Sequence, residues 1–139
     1  MPAAEISEES KKRAKDALDS LSFAKLIGMQ LVDIRLGEAD VKIEMRDDLR
    51  QPYGLLHGGV TAALIDTAMA FAIRTYLEDR EVTTSVDLTV HYLRPHTSGP
   101  AVCTARVVRP GKRIFTVEAD VLNERGKIFA TGLSTYMKV

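Results

Sequence analysis

A chain of 139 residues with nineteen Lys+Arg against nineteen Asp+Glu has a formal net charge of zero. That length suits one domain with its own core, and the charge balance removes the electrostatic footprint expected of a nucleic-acid binder. One cysteine, Cys103, excludes an internal disulfide framework and a multi-cysteine zinc site.

The chain opens on a polar segment of mixed charge with no apolar run of signal-peptide type. Residues 7–20 predict a short helix with Ser7 as N-cap, acids in its first turn and bases after. Residues 23–28 form a short apolar stretch ending in Gly28. Residues 31–35 and 41–45 read as strands, with Gly37-Glu38-Ala39-Asp40 as the hairpin loop between them. Residues 46–56, which include Asp47, Asp48, Pro52 and Gly54, read as a loop. After His57-Gly58-Gly59, residues 60–77 hold no Pro or Gly and predict a long helix, apolar nearly all round and therefore wrapped by protein.

Beyond Arg80 the period changes to two. Val82, Thr84, Val86, Leu88, Val90 and Tyr92 fall on one face of a strand over 82–93; Thr83, Ser85, Asp87, Thr89 and His91 fall on the other. Further strands are predicted over 101–109, 113–122 and 127–138, joined by short turns. Successive strands on short turns imply an antiparallel sheet, hence an α+β fold with one long helix against a curved sheet. The most apolar window, 55–73, is broken by His57, two glycines and Asp66, so it is no membrane span. With a lone cysteine, the expected location is cytoplasmic. Cys103, in an apolar strand, reads as a small buried hydrophobe.

Asp66 stands out. An unpaired carboxylate buried in an apolar helix costs several kcal/mol, so it either has a structural partner or faces a polar cavity. The glycines of His57-Gly58-Gly59 either permit a tight entry to the helix or let a ligand approach the free N–H groups of its first turn, which suit a developing oxyanion. His57 and Asp66 are nine residues apart, so on a helix they lie on roughly opposite faces and about 13 Å apart along the axis. Two antiparallel helices from two chains could bring them to one carbonyl; one chain cannot easily do so.

The run from Gly54 to Asp66, with His57-Gly58-Gly59 and the six-residue step to Asp66, closely resembles the helix-opening motif of hotdog-fold acyl-CoA thioesterases. The branch is that of the phenylacetate-degradation thioesterases and thioesterase superfamily member 2. The likeness continues through residues 85–95, the turn at Gly111-Lys112 and the last strand, about 26–138 in all. It implies a hotdog domain over 23–139, with about six strands, after an N-terminal helical segment over 1–22.

The resemblance also implies roles. Asp66 would be general base or nucleophile, and the Gly58 N–H of the other subunit would polarise the thioester carbonyl. His57 would orient the thioester or hold the loop, and Ser85 would position water or the carboxylate. Gln51 stands where some relatives carry Asn, a departure from the pattern. Coenzyme A would run past Gly59, Tyr92, Arg94, Pro95, His96 and Gly111, Lys112, Arg113. Coenzyme A enters as substrate, and no metal or other cofactor is implied; the histidines have no acidic partner at ligand spacing.

The chemistry agrees, since thioester hydrolysis needs an activated water or a carboxylate nucleophile and a stabilised oxyanion. Ser85 is a site hydroxyl or an exposed strand serine; the basic residues Arg94, Arg109, Lys112 and Arg113 meet phosphates or only solvent. The expected function is hydrolysis of an acyl- or aryl-acyl-CoA to free acid and coenzyme A. The alternatives are a non-hydrolytic acyl-thioester hydratase or dehydratase on the same fold, and an acyl-CoA-binding sensor, which typically carries an added DNA-binding segment that these residues leave no room for. The acyl cavity is expected from the helix, including Met69 and Phe71, with space beside Ala62, Ala63 and Ala68. Self-association is expected, as a dimer with interface active sites and further as a tetramer.

Overall fold

The computed structural model describes residues 2–139; Met1 of the expected N-terminal segment lies outside the described residues. In chain order the elements are α1 (Glu8–Ser20), α2 (Ser22–Ile27), β1 (Gln30–Arg35), β2 (Glu38–Glu44), a 3-10 turn (Asp47–Leu49), α3 (Gly58–Arg74), β3 (Thr83–Tyr92), β4 (Pro100–Pro110), β5 (Ile114–Leu122) and β6 (Ile128–Lys138). The strands form one antiparallel sheet of order β1-β2-β4-β5-β6-β3. α3 touches all six strands. The sheet curves round it, as an apolar helix requires.

Each helix shows why it begins and ends where it does. The Ser7 hydroxyl accepts from Ser10 N–H at 3.1 Å, the expected N-cap of α1. Ala14 and Leu18 of α1 are buried in the same core as α3. The stretch over 23–28, read as merely apolar, lies largely in helix α2. Gly28 closes it in the left-handed conformation (φ 86°), and the Arg46 guanidinium donates to the last carbonyls, Leu26 and Ile27. That cap comes from a residue far along the chain, so six residues form a helix with no periodicity to announce it.

Two other boundaries move. The expected loop 37–40 is mostly strand: Arg35 pairs with Glu38, leaving a two-residue turn in which Gly37 takes the positive φ of 74°. Glu38 and Asp40 alternate with the buried Ala39 and Val41, so their polarity marks a strand face rather than a loop. α3 starts at Gly58 and stops at Arg74, not at Leu77. Thr75 ends it: its hydroxyl donates to Ala72 O and accepts from Gly37 N–H at 2.7 Å, tying the helix end to the β1–β2 turn.

Gly132 sets how close α3 lies to β6. A Cβ there would come within 2.8 Å of Ile65 Cγ2. Gly132→Ala is expected to destabilise the fold by about 1–3 kcal/mol through overpacking, read as a lower denaturant midpoint. Cys103 is fully buried on β4, as expected of a small hydrophobe. Burial, then the nearby Asp120 and Asp40 carboxylates, push its thiol well above the usual range. Among the described residues no helix is long and apolar enough to cross a membrane.

Candidate active site

The loop before α3 is tied down mainly by backbone. Leu56 N–H donates to His96 O and His57 N–H to Leu49 O, both at 2.8 Å. Arg50 clamps the same loop, donating to Gly54 O at 2.6 Å and Thr97 O at 2.7 Å. The Gln51 side-chain oxygen accepts from Tyr53 and Leu55 N–H groups, so its carbonyl end braces the turn.

The first turn of α3 has four N–H groups without partners inside the helix. Gly59 N–H donates to His57 Nδ1 at 2.8 Å. Val60 and Thr61 N–H groups both reach His57 O, at 2.9 and 3.3 Å. Gly58 N–H has no acceptor among the described residues. Among the described residues it is the donor left over at the positive end of α3. Because Nδ1 of His57 accepts, the neutral ring carries its proton on Nε2. Tyr92 OH donates to Gly58 O at 2.6 Å, so the Gly58–Gly59 peptide is held at its oxygen by Tyr92 and at its N–H by His57.

Gly58 and Gly59 line a groove of about 640 Å³ with Gln51, Tyr92, Arg94, Pro95 and His96. The structure thus brings most of the expected substrate-side residues together. His96 is a buried member: its ring stacks on Phe129 at 4.6 Å between centroids, and Nε2 donates to Gly99 O at 3.2 Å. Arg94 donates to Ile128 O at 3.0 Å. The expectation that Met69 and Phe71 shape the cavity is not met. Met69 is fully buried in the core, and neither lines this groove.

Asp66 lies eight residues beyond Gly58, about 12 Å along the helix, and does not line the groove. It is half-buried, and its partner is Tyr136 on β6. The phenol donates to the Asp66 carboxylate at Oδ1 and to Asp66 O at 2.8 Å. Oδ2 has no partner among the described residues. Burial first, and then the Asp66 carboxylate, push the Tyr136 phenol well above its usual range.

Ser85 sits opposite Tyr136 in the β3–β6 ladder, and opposed residues point to the same side of a sheet. This corrects the simple alternation. A bulge between Ser85 and Asp87 leaves Val86 unpaired, so Ser85 joins the helix-facing side with Leu88 and Val90, while Asp87 faces away. Asp87 holds the bulge in place: its carboxylate accepts from Thr135 N–H at 2.9 Å and its carbonyl from the Ser134 hydroxyl.

Gly111, Lys112 and Arg113 are not near the groove of the same chain. They form the β4–β5 turn, where Lys138 N–H donates to Arg113 O at 2.9 Å and Lys138 pairs with Thr83 at the start of β3. Tyr92 ends β3, with Arg94 and His96 just beyond it, about 30 Å away for ten residues of strand. One chain therefore carries the Asp66–Tyr136 pair, with Ser85 opposite Tyr136, and, apart from them, the free Gly58 N–H with its groove.

A long helix inside a six-stranded antiparallel sheet, opened by His57-Gly58-Gly59, is the hotdog arrangement of a thioester hydrolase. The chain belongs to the thioesterase superfamily, whose family model matches residues 53–130, more than half of it. It is 30% identical to acyl-coenzyme A thioesterase 13 of Homo sapiens, covering 82% of this chain and 83% of that one. It is 25% identical to the 1,4-dihydroxy-2-naphthoyl-CoA hydrolase of Listeria monocytogenes, over 83% of this chain and 94% of that one. The fold is shared with the E. coli PaaI protein of the phenylacetic acid degradation operon, with a TM-score of 0.88 at 22% identity, covering 97% of this chain and 96% of that one.

Proposed function

We propose that the protein hydrolyses acyl-CoA thioesters to free acid and coenzyme A in a homodimer whose two active sites each draw on both chains. The observation that carries this is the separation of the half-sites: the unpaired Gly58 N–H and the free Oδ2 of Asp66 belong to different parts of one chain. β3 offers the means of joining them. It is an edge strand, paired only with β6, and its Val86 and Tyr92 side chains are exposed. Two β3 edges pairing antiparallel about a two-fold axis make a closed dimer. That pairing sets the start of β3 in one chain beside the end of β3 in the other. The β4–β5 turn with Lys112 and Arg113 then comes to the same end as the partner copy's groove. Further pairing into a tetramer has an exposed apolar side chain to use in Leu133, which faces away from the helix.

In each site the thioester carbonyl oxygen lies against Gly58 N–H of one chain, and Asp66 of the other chain activates water. Water oxygen bonds to the carbonyl carbon as its proton passes to Asp66, and the oxyanion is held by the N–H. The C–S bond then breaks, and the coenzyme A sulfur takes the proton back. Alternatively Asp66 attacks the carbonyl carbon directly: the C–S bond breaks, coenzyme A leaves as its thiolate, and water opens the resulting anhydride to free acid and protonated Asp66, whose proton passes to the thiolate. In a single turnover in ¹⁸O-water, label in the Asp66 carboxylate marks direct attack with water opening the anhydride at the Asp66 carbon; the general-base route puts all of the label in the product acid. In this reading Ser85, on the same side of the sheet as Tyr136, holds that water. His57 holds the Gly59 end of the turn. Neither route requires a metal, and coenzyme A arrives with the substrate. The buried Cys103 thiol suits a reducing cytoplasm.

The groove walls of Leu55, Tyr92 and Phe129 suit an apolar acyl or aryl-acyl thioester. A panel of short, medium and aryl-acyl-CoAs with a thiol-trapping reagent tests the reading. Coenzyme A release with at least one substrate is expected. Binding of acyl-CoA without release would overturn hydrolysis in favour of a sensor.

A further inference from the structure

The carboxylate half-site contains a group to which the hydrolytic steps assign no task. Tyr136 is 3% exposed, yet its hydroxyl reaches a half-buried carboxylate. Its single proton is shared between two acceptors of one residue, the Asp66 main-chain oxygen and Oδ1. Because the phenol is held above its usual range, it stays a donor wherever an enzyme of this kind would be assayed. The contact is built into the packing. Gly132, four residues before Tyr136 on β6, lets α3 approach closely beside Ile65, the neighbour of Asp66. Tyr136 is also paired with Phe115 on one side and Ser85 on the other, so its ring is held by both flanking strands.

A carboxylate with nothing to hold it samples several χ rotamers. A donor on one of its oxygens and on the same residue's backbone selects one of them. It also decides which oxygen remains free. We infer that Tyr136 is a positioning residue for hydrolysis: it pins Oδ1 of Asp66 so that Oδ2 is the oxygen presented to water or to the thioester carbon. The inference rests on Asp66 being the working carboxylate. It assigns the two oxygens different tasks, and it places the whole device on β6, outside the His57-Gly58-Gly59 motif.

The test compares Tyr136→Phe with wild type, in both the wild-type and the Asp66→Asn backgrounds. Phe keeps the ring and its packing and removes only the hydroxyl. The expected result is a kcat lower by about 10- to 100-fold, the size of effect that misplacing a catalytic group produces. KM should stay near its wild-type value, because the groove is untouched. In the Asp66→Asn background the same substitution should cost nothing further, since there is no working carboxylate left to position. Incorporating 4-aminophenylalanine at 136 restores a donor on the same ring and should recover most of the rate; it also serves if Tyr136→Phe folds poorly.

An unchanged kcat in Tyr136→Phe overturns the inference, as does a loss of similar size in both backgrounds, which would mark a packing role. Failure of the amino ring to recover activity in a folded protein counts the same way. These outcomes are distinct from failure of the hydrolytic reading itself, which would show as activity surviving in Asp66→Asn with Tyr136 intact.

Discussion

Asp66→Asn is expected to lower kcat toward the best acyl-CoA substrate by about 10²- to 10⁴-fold, with no loss of thermal stability. The two halves of that expectation have separate physical origins. Asn has the size of Asp and keeps a carbonyl oxygen where Oδ1 accepts from Tyr136, so the link between α3 and β6 survives. What disappears is the charge, and with it the capacity to take a proton from water or to attack a carbon. Asp66 is a half-buried anion on a helix whose buried face is otherwise apolar but for Thr61. Removing a charge from such a place relieves desolvation, so the melting temperature should hold or rise. A purely structural Asp66 predicts the reverse pattern, a lower melting temperature with kcat kept. Coenzyme A release and a thermal melt on the same sample therefore decide between the two readings that the sequence leaves open for this residue.

How much was legible in advance depended on how local each cause is. The Ser7 cap, the helix after His57-Gly58-Gly59 and the succession of strands along the chain are written in short stretches, and the structure has them. So is the conflict of a carboxylate among Ala62, Ala63, Leu64, Ile65 and Ala68, which singles out Asp66 with no partner in view. The partner, Tyr136, lies 70 residues along the chain. Nothing near it separates it from any other aromatic residue of a strand.

Ser85 shows the same limit in a sharper form. Residues 82–93 alternate without a break, and unbroken alternation puts Ser85 with Asp87. The phase is reset by the bulge at Val86, held by Asp87 through bonds to Ser134 and Thr135 on β6. A polar residue bonding the neighbouring strand's backbone looks, in sequence, like any exposed strand acid. Likewise, α2 owes its closed end to Arg46, and the loop before α3 owes its shape to Arg50, side chains whose targets lie across the fold. Motif spacing is thus readable because one helix carries it. Which side chains stand behind the motif is decided by the sheet.

The reach of that one helix leads to a second large effect, at its other end. Gly58 is the first residue of α3, where proline is well tolerated because its missing N–H has no partner inside the helix anyway. His57 before it already has a ψ of 130°, in the range that a following proline demands, with φ −59°. The added Cβ would lie 3.2 Å from the outer atoms of the Tyr92 ring, which must yield by a few tenths of an ångström. Gly58→Pro therefore deletes the orphan donor while keeping the helix, and it should cost about 10²- to 10³-fold in kcat. Combined with Asp66→Asn in one chain, it leaves no working site. Placed on separate chains, the two lesions have a different consequence. In a two-fold dimer with shared sites, one site collects both lesions and the other collects neither. Dimers carrying one variant of each kind, isolated through two affinity tags, are expected to regain about half of the wild-type activity per dimer. If a single chain supplied both groups, every site in the mixed dimer would carry one lesion, and activity would stay at the level of the inactive parents.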